Sequence, residues 1–568
     1  MSKSDAQSST NAKLLSVIAE NGTEFRPNQK IIYNLDPSIG WIKTKESYLV
    51  FDILNYSTSN MRLMLGEAGI SSIIKRVDIY SRESGLLLET LQDYNKWTAT
   101  QMQYANDDKT NIINMEGVPA PSNQSKSAIV AAPRVYRPSM RKFWSEPANG
   151  RCSPMAGGVA DGDIISPAYT SVRFITPLRC GIFREWDDEK LIPVLMLGGL
   201  RVEITLAPPS EAWTTGETGI VNRVVNNYSD TVDSNGSPSP FALNKIGFSG
   251  TGGAGQCATT DNGFTMLAPC RAGDCPFAVG NKVVVTGFNG ATAVSSKATT
   301  ANLTITQVER VDAGNTIKIT TSATLGGATA ITSALTISYD MDLITDADVD
   351  YRITNCEFRI MREDPPNVPM KNTEYIYTTY DLFRDTIPQN QVNFTTDITS
   401  TSSQALSMFT MYENPSETDA HYLGLNNYYQ GLTAGETGFS MNSVVYFINN
   451  KLYPLRAYDP RTVGDKVITQ NELVKAWGTL NIVPKCLGSA TSADSTIYTN
   501  RFLHARELAR GQAVFNLQNA EPQIRMTFVN NRSNNGCGRA ITSSSVFTFC
   551  FSKRTLKIDG DSGLTLLQ

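Results

Sequence analysis

Two strand-like runs on either side of a short charged segment constrain the fold of this chain most. The runs Ser171–Phe183 and Leu191–Leu206 flank the charged segment Arg184–Lys190. In the second run apolar and polar residues alternate, which is typical of a strand with one buried and one exposed face: Val202, Ile204 and Leu206 alternate with Arg201, Glu203 and Thr205. We expect a structural hairpin without catalytic groups, which is a first indication of a structural role for the chain.

Similar short runs recur in both halves of the chain, and each half carries one predicted helix. The first helix is expected over Leu87–Tyr104, with Trp97 in the core; the second begins at the capping box Thr469–Glu472 and places Trp477 in the core. A second hairpin is predicted over residues 443–455, turned by two asparagines. Many short strands separated by turn signals predict an all-β protein made of two consecutive Greek-key sandwiches, each with a short helix.

The composition also shifts along the chain in a way that predicts domain boundaries. Residues 1–27 are polar with one short apolar patch, so they are expected to be an N-terminal arm that is either disordered or docked on a neighbour as a helical turn or two. The first sandwich is predicted over 28–364, interrupted by a Gly-, Ser- and Thr-rich β-domain inserted at 212–343. After a proline-rich linker, the second sandwich is predicted over 365–568.

Length and charge limit the classes of function. A chain of 568 residues suggests about three or four packed units at roughly 150 residues each. A net charge of −4 gives no sign of the basic face that direct wrapping of nucleic acid requires. The first residues lack the apolar core of a signal peptide, and no apolar run approaches about 20 residues, so a soluble intracellular chain is expected.

The cysteines give little support for a metal site. Nine cysteines occur without a CxxC pair, and Cys257, Cys270 and Cys275 form the only loose cluster. Reduced inert thiols are the favoured interpretation, with a local disulfide or a metal site as alternatives. With only His421 and His504 as histidines, a zinc site would need thiolate spacings that this sequence does not show.

Five segments, taken in order, resemble a known family. They are Val77–Asn95, Phe174–Leu206, Tyr351–Pro366, Ser443–Pro454 and Phe547–Asp559. Their order and spacing resemble the double jelly-roll major capsid proteins of polinton-like viruses, virophages and their larger nucleocytoplasmic DNA-virus relatives, the lineage that includes adenovirus-hexon-like capsid proteins. The inserted stretch is longer than the corresponding connection usually is in that family.

The resemblance implies a structural role in a virion. It implies a homotrimer whose six jelly rolls form a pseudo-hexagonal capsomer, tiling an icosahedral shell around a double-stranded DNA genome. The implied partners are neighbouring capsomers, penton proteins and minor capsid proteins, without sequence-specific contact to nucleic acid and without a cofactor. Because loops at one end of a jelly roll face outward from a shell, the insertion is expected to project from the outer surface and offer a contact surface to the host cell or to decorating proteins; the alternative is that it only broadens the trimer contact.

Motifs that suggest catalysis have simpler explanations. Gly560–Gly563 spells the GDSG string of a protease nucleophile, but it follows the last long strand and is expected to be a turn. His504 has no carboxylate placed to orient it, so it is interpreted as a surface or packing residue. The glycine-rich strings at 250–255 and 431–438 lack the ending of a phosphate-binding loop. The acidic runs at 186–189 and 346–350 are expected to be solvated turns rather than cation sites, and no catalytic, cofactor or metal residue is assigned.

Two other classes of function remain open from the sequence. A β-sandwich with a barrel-like insertion also suits a spike-like attachment or carbohydrate-binding protein. A glycoside hydrolase would need a pair of carboxylates in a groove, whose separation only a structure can give.

Overall fold

A computed structural model gives the fold of the chain. It describes residues 13–56, 63–65, 68–105, 116, 139–140, 142–143, 168–169, 171–179, 181–183, 191–214, 247–248, 256–257, 263–267, 280, 282–286, 299–310, 316–322, 329–330, 336–339, 350–363, 373–388, 391–413, 441–460, 463–484, 502–509, 514–518, 520–528, 544–559 and 563–567. Within these residues, no helix combines the length and the apolar character that a membrane span requires.

The first part of the chain is built almost entirely of strands. The strands are β1 (Lys13–Ile18), β2 (Glu24–Phe25), β3 (Lys30–Leu35), β4 (Trp41–Asn55), β5 (Leu63–Leu65), β6 (Ile74–Ser81), β7 (Leu87–Gln92), β8 (Ser139–Met140), β9 (Lys142–Phe143), β10 (Ala168–Tyr169), β11 (Ser171–Thr176), β12 (Leu191–Pro193), β13 (Leu200–Leu206) and β14 (Trp213–Thr214). The helices are α1 (Tyr94–Ala105) and α2 (Pro209–Ala212), with 3-10 turns at Pro37–Ile39, Gly69–Ile73 and Gly181–Phe183.

A long connection follows β13 and α2 and carries its own sheets. Its strands are β15 (Gly247–Phe248), β16 (Gln256–Cys257), β17 (Gly263–Leu267), β18 (Lys282–Thr286), β19 (Thr299–Arg310), β20 (Thr316–Thr321), β21 (Thr329–Ala330) and β22 (Thr336–Tyr339). Six of them form the order β15-β17-β20-β19-β18-β22, and β16 pairs with β21. Leu303 and Ile305 of β19 are buried and belong to the core cluster of the first part of the chain.

The chain then returns to the first part and continues into a second set of strands. These are β23 (Tyr351–Glu363), β24 (Thr373–Ile387), β25 (Asn393–Asp397), β26 (Ala405–Glu413), β27 (Met441–Ile448), β28 (Lys451–Tyr458), β29 (Leu503–Glu507), β30 (Gln523–Phe528), β31 (Ser544–Asp559) and β32 (Gly563–Leu567), with helix α3 (Val463–Gly478) between β28 and β29.

The strand order defines a jelly roll twice. The first sandwich consists of the sheets β1-β23-β4-β11 and β3-β13-β6-β7, and the second consists of β24-β31-β26-β29 and β25-β30-β27-β28. When the eight long strands of each sandwich are numbered in chain order, both sandwiches give the sheet orders 1-8-3-6 and 2-7-4-5. This is the order of two nested Greek keys, so the prediction of an all-β protein with two consecutive jelly rolls is confirmed.

The second sandwich has one sheet that is buried on both faces, and we call β24-β31-β26-β29 the junction sheet. Every residue of β26 is buried. Because side chains alternate along a strand, Met408 and Tyr412 enter the core of the second sandwich, while Phe409 and Met411 join the cluster that includes the first sandwich. This explains why β26 reads as a nearly continuous apolar run rather than an alternating one.

The predicted hairpin of Ser171–Phe183 with Leu191–Leu206 is wrong. Strand β11 pairs with β4, whereas β13 pairs with β3 and β6 in the opposite sheet. The alternation in β13 is real, since Val202, Ile204 and Leu206 are buried. The alternation of a strand predicts which of its faces is buried, but it does not predict which strand pairs with it. In a jelly roll the sixth and seventh strands, here β11 and β13, lie in opposite sheets.

Three other local predictions also need correction. The predicted arm over 1–27 contains β1, which pairs along its whole length with β23, so its apolar patch forms a strand and not a helical turn. The predicted helix Leu87–Tyr104 is a strand as far as Gln92 and a helix only from Tyr94. The capping box at Thr469–Glu472 lies inside α3, where the Thr469 hydroxyl donates to the Asp465 carbonyl one turn back.

The asparagine turn between β27 and β28 is confirmed. Asn449 and Asn450 have φ angles of 51° and 60°, and Ile448 is opposite Lys451. Two successive positive φ angles are typical of the tight hairpin turn whose twist matches that of the flanking strands, and asparagine tolerates this backbone conformation well.

Candidate functional site at the junction of the two sandwiches

His504 is completely buried in the core of the second sandwich and is not placed for catalysis. It lies on β29 between two tyrosines: its Nδ1 is 2.8 Å from the Tyr446 hydroxyl, and its Nε2 contacts the Tyr412 hydroxyl. Burial lowers the pKa of His504 to about 3, so the ring is neutral at physiological pH. The prediction that His504 packs is therefore correct, although it is a core residue and not a surface one.

Within the part of the chain that the structure describes, the other candidate residues from the sequence do not come together as a catalytic or metal-binding site. The acidic run at 186–189, both glycine strings, His421, Cys270 and Cys275 lie outside the described residues, as do residues 560–562 of the protease-like string. No group of three metal-ligating side chains occurs among the residues described. Cys356 and Cys550 are buried free thiols whose pKa values burial raises to about 12, which makes them poor nucleophiles.

A cleft of about 310 Å³ opens on the second sandwich beside β28 and β29. Its lining includes Tyr453, Phe515 and Arg506, and the Arg506 guanidinium lies 4.8 Å from the Tyr453 ring centroid and pairs with Glu472. Glu507 is the one carboxylate of the described lining. The pair of carboxylates that glycoside hydrolysis requires is therefore not found in this cleft as described.

Among the residues that the structure describes, the most extensive cluster of aromatic side chains lies where the two sandwiches meet. We call this contact the junction: β7 and the turn Gly181–Phe183 of the first sandwich pack on β24, and Trp97 of α1 packs on the rings of the junction sheet. Trp97 of α1 is 1% exposed and stacks on Trp477 of α3, with ring centroids 5.3 Å apart. Four further rings of the junction sheet surround Trp97 at 4.4 to 6.2 Å: Tyr380, Phe409, Phe549 and Phe551.

Three tyrosines of β24 attach the second sandwich to backbone carbonyls of the first. The hydroxyls of Tyr375, Tyr377 and Tyr380 donate to the carbonyls of Ile182, Leu88 and Gln92 at 3.2, 2.6 and 2.9 Å. Strand β7 lies at the edge of its sheet, so these bonds satisfy acceptors that would otherwise need water. Each tyrosine thus buries an apolar ring and still satisfies its polar end.

A buried charge network crosses the same contact. Asp93, 1% exposed, lies 2.7 Å from Lys75 on one side and 2.7 Å from Arg384 of β24 on the other. Burial alone would raise the pKa of Asp93, but the nearby cations Lys96, Lys75 and Arg384 together lower it. Lys96 pairs with Glu413 of β26, and both side chains are buried. Breaking such a pair would leave a buried charge without compensation, so separating the two sandwiches at this contact would be costly.

These features define the class: a double jelly-roll protein whose two sandwiches are joined by a contact with the character of a protein core. The chain is similar to PBCV-1 VP54 as fitted into a reconstruction of the virophage Sputnik, with a TM-score of 0.44 and 10% identity over 98% of this chain and 97% of that one. It is also similar to a chain of the Sputnik virophage structure, with a TM-score of 0.46 and 12% identity over 98% and 88%. For the Faustovirus major capsid protein the TM-score is 0.43, with 9% identity over 96% and 90%.

No family model and no curated protein matches the chain. The assignment of the fold rests on strand order and register, which are read from this chain itself.

Proposed function

We propose that this protein is a major capsid protein: a structural subunit, and not an enzyme, that assembles into the shell of a virion. The observation that carries the proposal is the jelly-roll strand order occurring twice in one chain. Jelly rolls leave little open sheet edge and can carry long loops at one end without disturbing the sandwich, which suits a building block. The resemblance of five ordered sequence segments to double jelly-roll capsid proteins points the same way.

The junction supports this proposal because it makes one block out of two sandwiches. A shell transmits load through its subunits, so two wedges on a flexible linker would be a poor unit of construction. Here the contact between the sandwiches combines stacked tryptophans, tyrosine hydrogen bonds and buried ion pairs. Contacts of this kind have the packing of a protein interior and hold one orientation.

We further propose that the protein forms a homotrimer, and that each trimer is a pseudo-hexagonal capsomer. Three double jelly rolls supply six similar wedges, and closed cyclic symmetry is the usual state of a homo-oligomer. Apolar side chains remain exposed on each sandwich: Leu14 and Ile18 on β1 of the first, and Val467 and Val474 on α3 of the second. Neighbouring capsomers, penton proteins and minor capsid proteins would be the further partners, in a shell that encloses double-stranded DNA.

The test is the native mass of the purified protein over a range of concentrations, followed by negative-stain imaging. We expect a compact trimer that forms sheets or shells as concentration rises. A chain that stays monomeric at every concentration would contradict the capsid role. A discrete oligomer that never tiles would instead favour an attachment protein.

A further inference from the structure

A buried carboxyl group lies where the first sandwich meets β24. Glu89 of β7 is completely buried. Its Oε2 accepts a hydrogen bond of 2.8 Å from the backbone N–H of Ile182, in the turn Gly181–Phe183 that packs on β24. Its Oε1 has no hydrogen-bond partner within normal distance among the described residues. Gly181 has a φ of 77°, and a methyl group there would overlap the Glu89 carboxyl, so the glycine makes room for this side chain.

The charges around Glu89 do not compensate for its burial. Arg554 of β31 favours the ionised form, but Arg554 is already paired with Asp381 of β24 at 2.7 Å, and Asp381 opposes ionisation. The Thr379 hydroxyl and the Ile182 N–H also favour the ionised form. Burial outweighs all of these and raises the pKa of Glu89 from 4.5 to about 7.

We propose that Glu89 makes the junction sensitive to pH: the two sandwiches are held together while its carboxyl is protonated, and the contact loosens when the carboxyl ionises. An ionised Glu89 would have to recruit water or draw Arg554 away from Asp381. Either change disturbs the Gly181–Phe183 turn and the Tyr377 hydrogen bond beside it. The contact would therefore be tightest in mildly acidic solution and weaken on the alkaline side of neutrality.

The sign of the effect follows from the two protonation equilibria. The folded chain holds the Glu89 proton up to about pH 7, whereas the unfolded chain releases it near pH 4.5. The folded state therefore binds more protons between these values, and its stability falls as pH rises through them. The contribution is fully present below pH 4.5 and lost above about pH 7.

The experiment compares the thermal unfolding of the full-length protein and its Glu89→Gln variant from pH 5 to pH 9. The amide keeps the size of the carboxyl and can accept the Ile182 N–H, but it cannot ionise. We expect similar melting temperatures at pH 5 and a higher melting temperature for the variant at pH 8. The matched control is Glu374→Gln, an exposed carboxylate of β24 paired with Lys557, which should follow the wild-type profile.

A second measurement keeps the test independent of the folding of the variant. Hydrogen exchange of the wild-type segments 87–92 and 181–183, corrected for the intrinsic rate, should increase between pH 6 and pH 8 relative to segment 523–528. Parallel melting profiles of Glu89→Gln and wild type, or unchanged relative exchange, would overturn the proposal. Neither readout depends on assembly, so the result is separate from that of the capsid proposal.

Discussion

At the scale of single residues, buried polar side chains serve to fix the fold rather than to carry out chemistry. His504 is enclosed by Tyr412, Tyr446 and Phe502, with no carboxylate in contact among the residues described. Its neutral ring exchanges hydrogen bonds with two hydroxyls, which satisfies four polar atoms inside an apolar core. A catalytic histidine needs access to substrate and a pKa near the working pH, and His504 has neither.

Trp97 is the residue whose loss should weaken the junction most. Replacing Trp97 by Ala removes the centre of the aromatic cluster, and we expect a loss of about 3–5 kcal/mol in the free energy of unfolding. The measurement is denaturant unfolding, with Leu195→Ala as a control because Leu195 is 57% exposed.

Trp477→Ala and the double variant complete the Trp97 test. If the two indoles act through their mutual contact, the double variant should lose less than the sum of the single losses, by about 0.5–1.5 kcal/mol. Strict additivity would show that the contact between the two indoles contributes no coupling energy. Unfolding of Trp97→Ala close to that of wild type would mean that the junction does not have the packing described above.

At the scale of strands and helices, the register of hairpins depends on a few backbone conformations. Strands β27 and β28 are joined by only two residues, both with positive φ. A slip of one residue would move Tyr446 and Ile448, which are buried, to the solvent side of the sheet. The turn therefore determines which face of this hairpin enters the core.

Asn450 provides a direct test of this turn. Asn450→Gly should leave stability unchanged or raise it slightly, because glycine adopts a φ of 60° without steric cost. Asn450→Ala should lower stability by about 1 kcal/mol, since a Cβ without a local hydrogen bond disfavours this conformation. Thermal melting of the two variants is the measurement. An alanine variant as stable as the glycine variant would show that the turn is not under this constraint.

Local patterns in the sequence predict strands better than they predict strand partners. The alternation in β13 and the asparagine pair before β28 each reflect forces within a few residues, and both were predicted correctly. The partner of β11 is β4, which lies more than a hundred residues away in the chain, so no local signal identifies it. The junction was missed for the same reason: Trp97 and Trp477 each predict a core helix, but nothing in the sequence predicts that they touch.

Two predictions failed because a residue pattern suits more than one structure. The apolar spacing from Leu87 to Trp97 fits a helix, yet Leu88 and Leu91 are buried on strand β7, which ends before α1 at Asp93, a residue with a positive φ. The Thr-x-x-Glu string at Thr469 fits a helix start, but α3 begins six residues earlier, at Val463. Tertiary packing outweighs such local preferences when it buries more surface.

At the scale of the whole molecule, the two sandwiches share buried apolar surface. One core cluster runs from the interior of the first sandwich through the junction to the outer face of the junction sheet. A second cluster fills the interior of the second sandwich. Among its described residues, the long connection between β14 and β23 contributes only Leu303 and Ile305 to the first cluster, and none of its described strands belongs to either jelly roll.

This arrangement predicts that residues 215–349 can be replaced by a short Gly/Ser linker while both jelly rolls remain folded. The two stems of the segment are close together, since the rings of Trp213 and Tyr351 are 5.5 Å apart, and closing a long flexible loop costs little free energy. We expect a soluble protein that retains the unfolding behaviour of the junction and loses some stability where Leu303 and Ile305 were buried. The control adds Trp213→Ala, which should destabilise the shortened protein because Trp213 is 1% exposed.

We propose that the segment projects from the outer surface of the particle, so particles of the shortened protein should form and lack epitopes that antibodies to the segment detect on wild type. Folded monomers that no longer assemble would show instead that the segment holds the trimer together.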